Sequence, residues 1–415
     1  MRINRRTLIR TGGAAMAAGG IGGTVKAQSS GGNLPPHVPE WMQYQGQPYL
    51  NPAYGTPSPH EADVVRRSIA GFVTDTAVAS WTPIHRLHGI ITPNGLTFER
   101  HHGGVPEINP DEHRLIIHGL VDRPLIFTME DLMRFPSVSE LHFLECSGNS
   151  STEFSEKSSR LSVQMSHGLL SCCEWTGVRL STLLDEVGIK PESKWLLAEG
   201  ADAAAMTRSI PIEKALDDAI IVYAQNGEAL RPEQGYPVRL FLPGFEGNSN
   251  IKWLRRIEIG EQPWQTREET SKYTDLLPDG TARQFTFNMP IKSVVTFPNF
   301  EKSFTEKGFY EISGLAWSGN GKVAKVEVSV DGGSTWQEAQ LQEPIISKCL
   351  TRFRLPFTWT GQPFEVQSRA TDEHGDVQPA RERLIDEVGR NALYHYNGIQ
   401  GWKVAENAEV TNANA

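Results

Sequence analysis

The stretch Val323-Ala324-Lys325-Val326-Glu327-Val328-Ser329-Val330 alternates with period two over eight residues. That pattern presents one apolar face of an extended strand, and a helix would scatter the same residues around its axis. Asp331-Gly332-Gly333 supplies a turn and Trp336 starts the return strand. Further strands are expected at Phe353 to Leu355 and Phe364 to Ala370. Short strands parted by Gly/Pro turns, with no helix among them, predict a β-sandwich of about one hundred residues. It is assigned to residues 285–405.

Upstream the pattern changes. His113 to Gly119 reads as a strand closed by a turn at Asp122-Arg123-Pro124. Thr128 and Asp131 have capping-box spacing, and the helix they open must stop before Pro136. Leu141 to Leu144 reads as a strand end. Ser181 to Val187 is expected to be a helix closed by Gly188, and Pro211 to Leu216 begins another. Ile220 to Tyr223 and Val238 to Leu242 read as strands, with a turn at Asn226-Gly227. Strands and short helices interleave without a regular βαβ period, which predicts an α+β domain over residues 81–265. The boundary falls between Glu261 and Phe285, and the Pro- and Gly-rich residues 28–80 read as an extended arm.

The chain has 415 residues, and its net charge of −9 argues against nucleic acid or an anionic membrane as a general partner. No apolar run is long enough to span a bilayer. Asn4-Arg5-Arg6-Thr7-Leu8-Ile9-Arg10 and the Ala/Gly-rich stretch to Ala27 match a twin-arginine export signal over residues 1–27, which implies a periplasmic destination. An ordinary secretory signal or a basic tail is the alternative.

Cys146 sits where the Leu141–Leu144 strand stops, two residues before Gly148. A thiol fixed there could hold a soft metal as thiolate, or could simply fill the core. Cys172, Cys173 and Cys349 complete too small a set for a disulfide scaffold. Cys172 and Cys173 could be redox-active as neighbours, or two buried thiols beside Trp175. No C-x-x-C-H motif occurs, so no c-type haem is expected on this chain. Eight of twelve histidines fall between His85 and His167. The clusters His85/His88 and Arg100-His101-His102 allow a zinc site, an anion grip or plain surface histidines. Arg239 lies inside an apolar strand, and Gly247 to Lys252 could cradle a phosphate; an edge strand with two surface charges is the alternative.

Five separated motifs, in order, give a specific resemblance. Thr92-Pro93-Asn94…Phe98-Glu99-Arg100-His101-His102, Glu145-Cys146-Ser147-Gly148-Asn149, Glu199-Gly200-Ala201-Asp202, Asn226 through Arg239 with Lys252-Trp253, and Gly314 to Gly319 with Asp331 to Trp336 resemble the sulfite oxidase family of molybdenum-pterin enzymes. The similarity runs from about Ile90 to Val404. Within the family, Gly89 to Leu96 and the double histidine are most similar to the branch that oxidises sulfane sulfur.

The resemblance implies a sulfite-oxidase-like molybdopterin domain followed by an immunoglobulin-like dimerisation domain. It implies a molybdenum–molybdopterin cofactor with Cys146 as the metal's thiolate ligand and Arg100 stabilising negative charge in catalysis. Phe98, Arg100, His101, His102, Cys146, Asp202, Gln234, Arg239, Asn250 and Lys252 would line the cofactor site. It implies electron transfer to a separate c-type cytochrome subunit, a homodimer within a heterotetramer, and a sulfur-carrier protein as substrate.

Departures from the family pattern bear on that substrate. Ser150 and Ser151 stand where family members have two arginines, Leu315 where they have a tyrosine, Met165 where a tryptophan is common, and Gln234 where they have a histidine. The Ser, Leu and Met replacements are expected to weaken a pocket for free sulfite, by roughly 1.5–3 kcal/mol per lost arginine contact. Sulfane sulfur on a carrier protein needs no such cage. Free sulfite remains an alternative substrate, and a non-catalytic scaffold an alternative role.

Overall fold

The computed structural model describes residues 57–414, apart from positions 70, 72, 74–76 and 159. The expected signal, 1–27, and residues 28–56 of the arm lie outside the described residues. The chain divides between Ala62 and Asp63 into two compact units. In the first, Ser58 caps a single 3-10 turn at Pro59–Glu61. Among the described residues, the second carries two pairs of larger sheets and two two-stranded ones, Val78–Ser80 with Glu99–His101 and Asp275–Leu276 with Ala282–Arg283.

The first pair holds the α+β part. One sheet has the order Glu228–Ala229, Ile220–Gln225, Leu170–Arg179, Ser137–Glu145, with Arg239–Phe241 also paired to Ile220–Gln225. All its pairings are antiparallel. The other has the order Leu125–Phe127, Leu115–Gly119, Leu254–Gly260, Trp195–Gly200, Thr207–Pro211. Its pairing of Leu115–Gly119 with Leu254–Gly260 is parallel, although well over a hundred residues of mixed structure separate the two strands.

The short helices form where local chemistry demands. Thr128 and Asp131 complete the capping box on Met129–Arg134, which ends at Phe135 before Pro136. Leu180–Val187 buries Leu180, Leu183, Leu184 and Val187, one stripe at helical spacing, and Gly188 closes it at φ 68°. That stripe packs with Val178, Leu196, Ile221 and Ile257 in the core of this half.

The C-terminal half is the immunoglobulin-like sandwich. One sheet has the order Lys292–Phe297, Gly308–Trp317, Thr351–Trp359, Gln340–Gln342. The other runs Gln337–Glu338, Val323–Ser329, Phe364–Asp372, Gly401–Val404, Val410–Asn412. Val326 and Val328 are buried while Lys325 and Glu327 are half-exposed, as the alternation requires. The sandwich region is not free of helix. Arg381–Val388 is helical and packs Leu384, Ile385 and Val388 with Phe154 and Tyr396. Its charged sequence, Arg-Glu-Arg-Leu-Ile-Asp-Glu-Val, hides a narrow apolar stripe whose partners include Phe154, far away in the chain.

One apolar core joins the halves. Phe143, Leu170 and Cys172 pack in the same cluster as Val294, Leu315, Trp317, Cys349 and Phe353. The strand that ends at Cys146 therefore rests on the sandwich.

Candidate active site

Ser137–Glu145 becomes fully buried over its last three residues, Phe143, Leu144 and Glu145, and stops at Cys146. The Cys146 N–H donates to the Leu169 carbonyl at 3.0 Å, and the Cys146 carbonyl accepts from the Asn149 N–H at 2.9 Å. Asn149 locks the turn. Its Nδ2 donates to Glu145 Oε1 at 2.9 Å and to the His167 carbonyl at 3.0 Å, and its Oδ1 accepts from the Leu169 N–H at 3.1 Å. The crowded glycine beside the thiol is Gly247, not Gly148. A Cβ at 247 would lie 2.9 Å from the Glu145 carbonyl oxygen and 3.2 Å from Cys146 Cα, whereas one at 148 would make an ordinary 3.9 Å contact with Cys146 Sγ.

Cys146 stands between two cavities. The inner one is lined by Phe98, His101, Asp202, Gln234, Arg239, Asn250 and Lys252. The outer one, of about 940 Å³, is lined by Trp81, Ser150, Ser151, Met165, Arg267, Lys272 and Tyr394. Cys146, Arg100, His102 and Tyr273 line both. Sequence reasoning therefore brought together a real constellation, drawn from segments more than 150 residues apart.

The inner cavity is electrostatically unfinished. Arg239 is 2 % exposed and donates to the carbonyls of Gln234 at 2.9 Å and Asn250 at 3.2 Å, while its Nε has no partner among the described residues. Burial lowers its guanidinium pKa to about 10. Lys252 donates to the carbonyls of Arg100 at 3.0 Å and Glu233 at 2.8 Å. Burial, and then the neighbouring Arg239, push its ammonium down to about 7. His101 Nε2 is 3.0 Å from Glu99 Oε1, while its Nδ1 is buried without a partner among the described residues, as is Asn248 Oδ1. Cations facing carbonyls, and orphaned polar atoms beside them, call for an anionic, hydrogen-bonding occupant. A phosphate-bearing pterin has that chemistry, so these residues fit the expected cofactor.

Other expected residues of the lining also have structural partners. Asn250 Oδ1 accepts from the Leu242 N–H at 2.7 Å, and its Nδ2 donates to the Phe245 and Glu246 carbonyls, so this side chain braces its own loop. Gln234 donates to the Phe98 carbonyl at 3.0 Å, tying two cavity walls together. Asp202 is buried on the turn after Trp195–Gly200. Burial raises the Cys146 thiol pKa, a cost that a bound metal cation reverses.

Two expectations about the outer pocket need correction. Leu315 lines neither cavity; it is fully buried in the sandwich, where its strand pairs on both edges. The pocket does hold a phenol: Tyr273 lines both chambers, with its hydroxyl 3.4 Å from His102 Nε2. Ser150 lines the outer cavity but is 4 % exposed, and its hydroxyl accepts from the Lys292 ammonium at 3.0 Å. The zinc reading of the histidine clusters has no support: among the described residues no three His, Cys, Asp or Glu side chains converge as metal ligands. His85 instead meets Glu301 at 2.6 Å. Tyr273, Arg267 and Lys272 escaped sequence reasoning because they lie in a polar connector with no periodic pattern.

Comparisons with known proteins agree with this geometry. Residues 102–268 match the oxidoreductase molybdopterin binding domain, and residues 283–401 match the Mo-co oxidoreductase dimerisation domain. The mitochondrial sulfite oxidase of Mus musculus is 30% identical over 332 residues, covering 74% of this chain and 61% of that protein. An NADH nitrate reductase of Phaseolus vulgaris is 35% identical over 351 residues, covering 73% of this chain and 39% of that protein. The chain thus spans about three fifths or less of the length of these curated relatives. The crystal structure of the sulfane dehydrogenase SoxCD from Paracoccus pantotrophus superposes with a TM-score of 0.88 at 46% identity, covering 91% of this chain and 97% of that one.

Proposed function

Because this chain belongs to the sulfite oxidase family of molybdopterin oxidoreductases, we propose that it is a molybdenum-dependent sulfane dehydrogenase. The substrate would be sulfane sulfur held on a carrier protein, and the electrons would pass to a separate c-type cytochrome subunit. The observation that carries the reading is the position of Cys146, with its sulfur between an anion-seeking inner cavity and a wide outer one.

Bound molybdenum would supply a two-electron acceptor at the end of the Cys146 strand. Arg239 and Lys252 would grip the cofactor's phosphate, exchanging carbonyl contacts for charge-assisted bonds. His101 Nδ1 and Asp202 would meet its polar edges, and Phe98 would pack against it. Arg100 holds its guanidinium at the junction of the cavities through the His101 carbonyl at 2.9 Å. From there it would stabilise negative charge as it develops on the substrate. Tyr273, which lines the same two cavities, offers a phenolic donor. Cys146 would be the only protein atom bonded to the metal.

The outer cavity separates the substrates. Ser151 and Met165 are uncharged parts of its lining, and its breadth suits an arm carrying sulfane sulfur. A second reading, oxidation of free sulfite, draws support from Arg267 and Lys272 in the same lining. The proposed enzyme would work in the periplasm after twin-arginine export, as a homodimer joined through its sandwich within a heterotetramer. Among the described residues no helix is long and apolar enough to cross a membrane.

The test is purification from a pterin-making host. Molybdenum content is measured, then turnover on a carrier-bound sulfane and on free sulfite with a c-type cytochrome as acceptor. Faster carrier oxidation is expected. A molybdenum-free protein, or one inert on both substrates, would end the reading.

A further inference from the structure

Resting on that reading, we propose that Lys292 of the sandwich is a positioning residue for the Cys146 ligand, through its grip on both ends of the ligand's loop. Lys292 is the first residue of the strand Lys292–Phe297 and is 1 % exposed. Its ammonium donates to Glu145 Oε1 at 3.0 Å, immediately before Cys146, and to Ser150 Oγ at 3.0 Å, four residues after it. Trp317 Nε1, on the next sandwich strand, donates to Glu145 Oε2 at 2.6 Å. Asn149 Nδ2 shares Glu145 Oε1. Each Glu145 carboxylate oxygen is therefore held by the sandwich, and Asn149 ties the same carboxylate to the turn.

The arrangement has a specific consequence. Ser150 takes a left-handed conformation at φ 67°, which a serine adopts only when its surroundings hold it there. The Lys292 hydrogen bond is such a restraint. In the family pattern described above, cations follow the Cys-x-Gly-Asn motif on the loop itself. This chain has serines there, and the cation that reaches the loop is Lys292, from a strand of the sandwich. Lys292 lines neither cavity, so it touches neither cofactor nor substrate. Its action on the metal must pass through the geometry of residues 145–150.

The experiment compares wild type, Lys292→Met, Lys292→Arg, Ser150→Ala and Lys348→Met as holoenzymes. Lys348→Met is the control, because Lys348 joins the halves through Asp218 at 2.6 Å, outside the Cys146 loop. The readouts are the electron paramagnetic resonance signal of one-electron-reduced molybdenum and the half-life of molybdenum retention on dialysis. Lys292→Met is expected to shift or broaden the signal and shorten retention at least tenfold. Lys292→Arg should restore most of both, Ser150→Ala should shift the signal part of the way, and Lys348→Met should leave it at wild type. If Lys292→Met does not fold, Ser150→Ala decides, and a wild-type signal there overturns the proposal. Wild-type signals in Lys292→Met, or equal shifts in Lys348→Met, also overturn it. A wild-type protein without molybdenum would instead defeat the functional reading on which it rests.

Discussion

The guanidinium carbon of Arg239 stands 5.2 Å from the centre of the Trp175 ring, and Trp175 in turn stacks on Phe241 at 4.5 Å. An aromatic floor thus supports a cation whose other described partners are main-chain oxygens. The cation is held ready for an anion. Arg239→Met keeps the bulk and removes the charge. Charged hydrogen bonds contribute about 1.5–3 kcal/mol each, so affinity for the cofactor should fall by roughly ten- to a hundredfold and molybdenum content with it. Metal analysis of the purified variant checks this, and full occupancy would contradict it.

Lys252 predicts a pH dependence in the cofactor-free protein. Its folded-state pKa of about 7 lies below its ordinary value of 10.5. Between those values the unfolded chain binds a proton that the folded chain lacks, so folding stability rises with pH across the window. Lys252→Met should flatten that part of the profile in denaturant titrations at pH 7 to 10. A slope unchanged by the substitution would show that Lys252 is not the source.

Arg100 lines both cavities beside Cys146. If its role is electrostatic, Arg100→Ala should raise the barrier to turnover by about 2–4 kcal/mol while molybdenum content holds. Steady-state rates normalised to metal give the answer. An unchanged normalised rate would leave Arg100 a structural part.

The two serines after Asn149 should behave differently. Ser151 lines the outer cavity, so Ser151→Arg should lower the KM for free sulfite. Ser150 already accepts from the buried Lys292 ammonium. Ser150→Arg would force a second cation and extra volume onto that lysine, costing about 1–3 kcal/mol from overpacking alone. Sulfite kinetics and thermal melts separate the two. Equal effects from both would contradict the geometry.

Cys172 and Cys173 are neighbours on one strand, so their side chains face opposite sides. Cys172 Sγ lies 3.3 Å from Cys349 Sγ, while Cys173 Sγ accepts from Gln225 Nε2 at 3.0 Å on the other face. Mild oxidation should therefore yield a 172–349 crosslink in a non-reduced peptide map. A 172–173 link would contradict that placement.

Much of this was legible in the residues. Local chemistry marked Thr128 and Asp131, Gly188, Asn226-Gly227 and the Val323 strand, since each signal is complete within a few positions. Cys146, Arg100, Arg239 and Lys252 were legible because order and spacing of motifs carry information that single residues lack. Tyr273 was not, because only tertiary packing brings the connector over the cavity. Lys292 was not, because a lysine opening an apolar strand gives no hint that its partner lies 147 residues away. The loop-bracing bonds of Asn250 were not legible for the same reason: loop asparagines bind ligands and brace loops with the same atoms.

The central claim is a bond between Cys146 Sγ and molybdenum. X-ray absorption at the molybdenum edge, on wild type and on Cys146→Ser, measures it directly. The account predicts one sulfur neighbour fewer around the metal in the variant. An equal sulfur count in both proteins would contradict it.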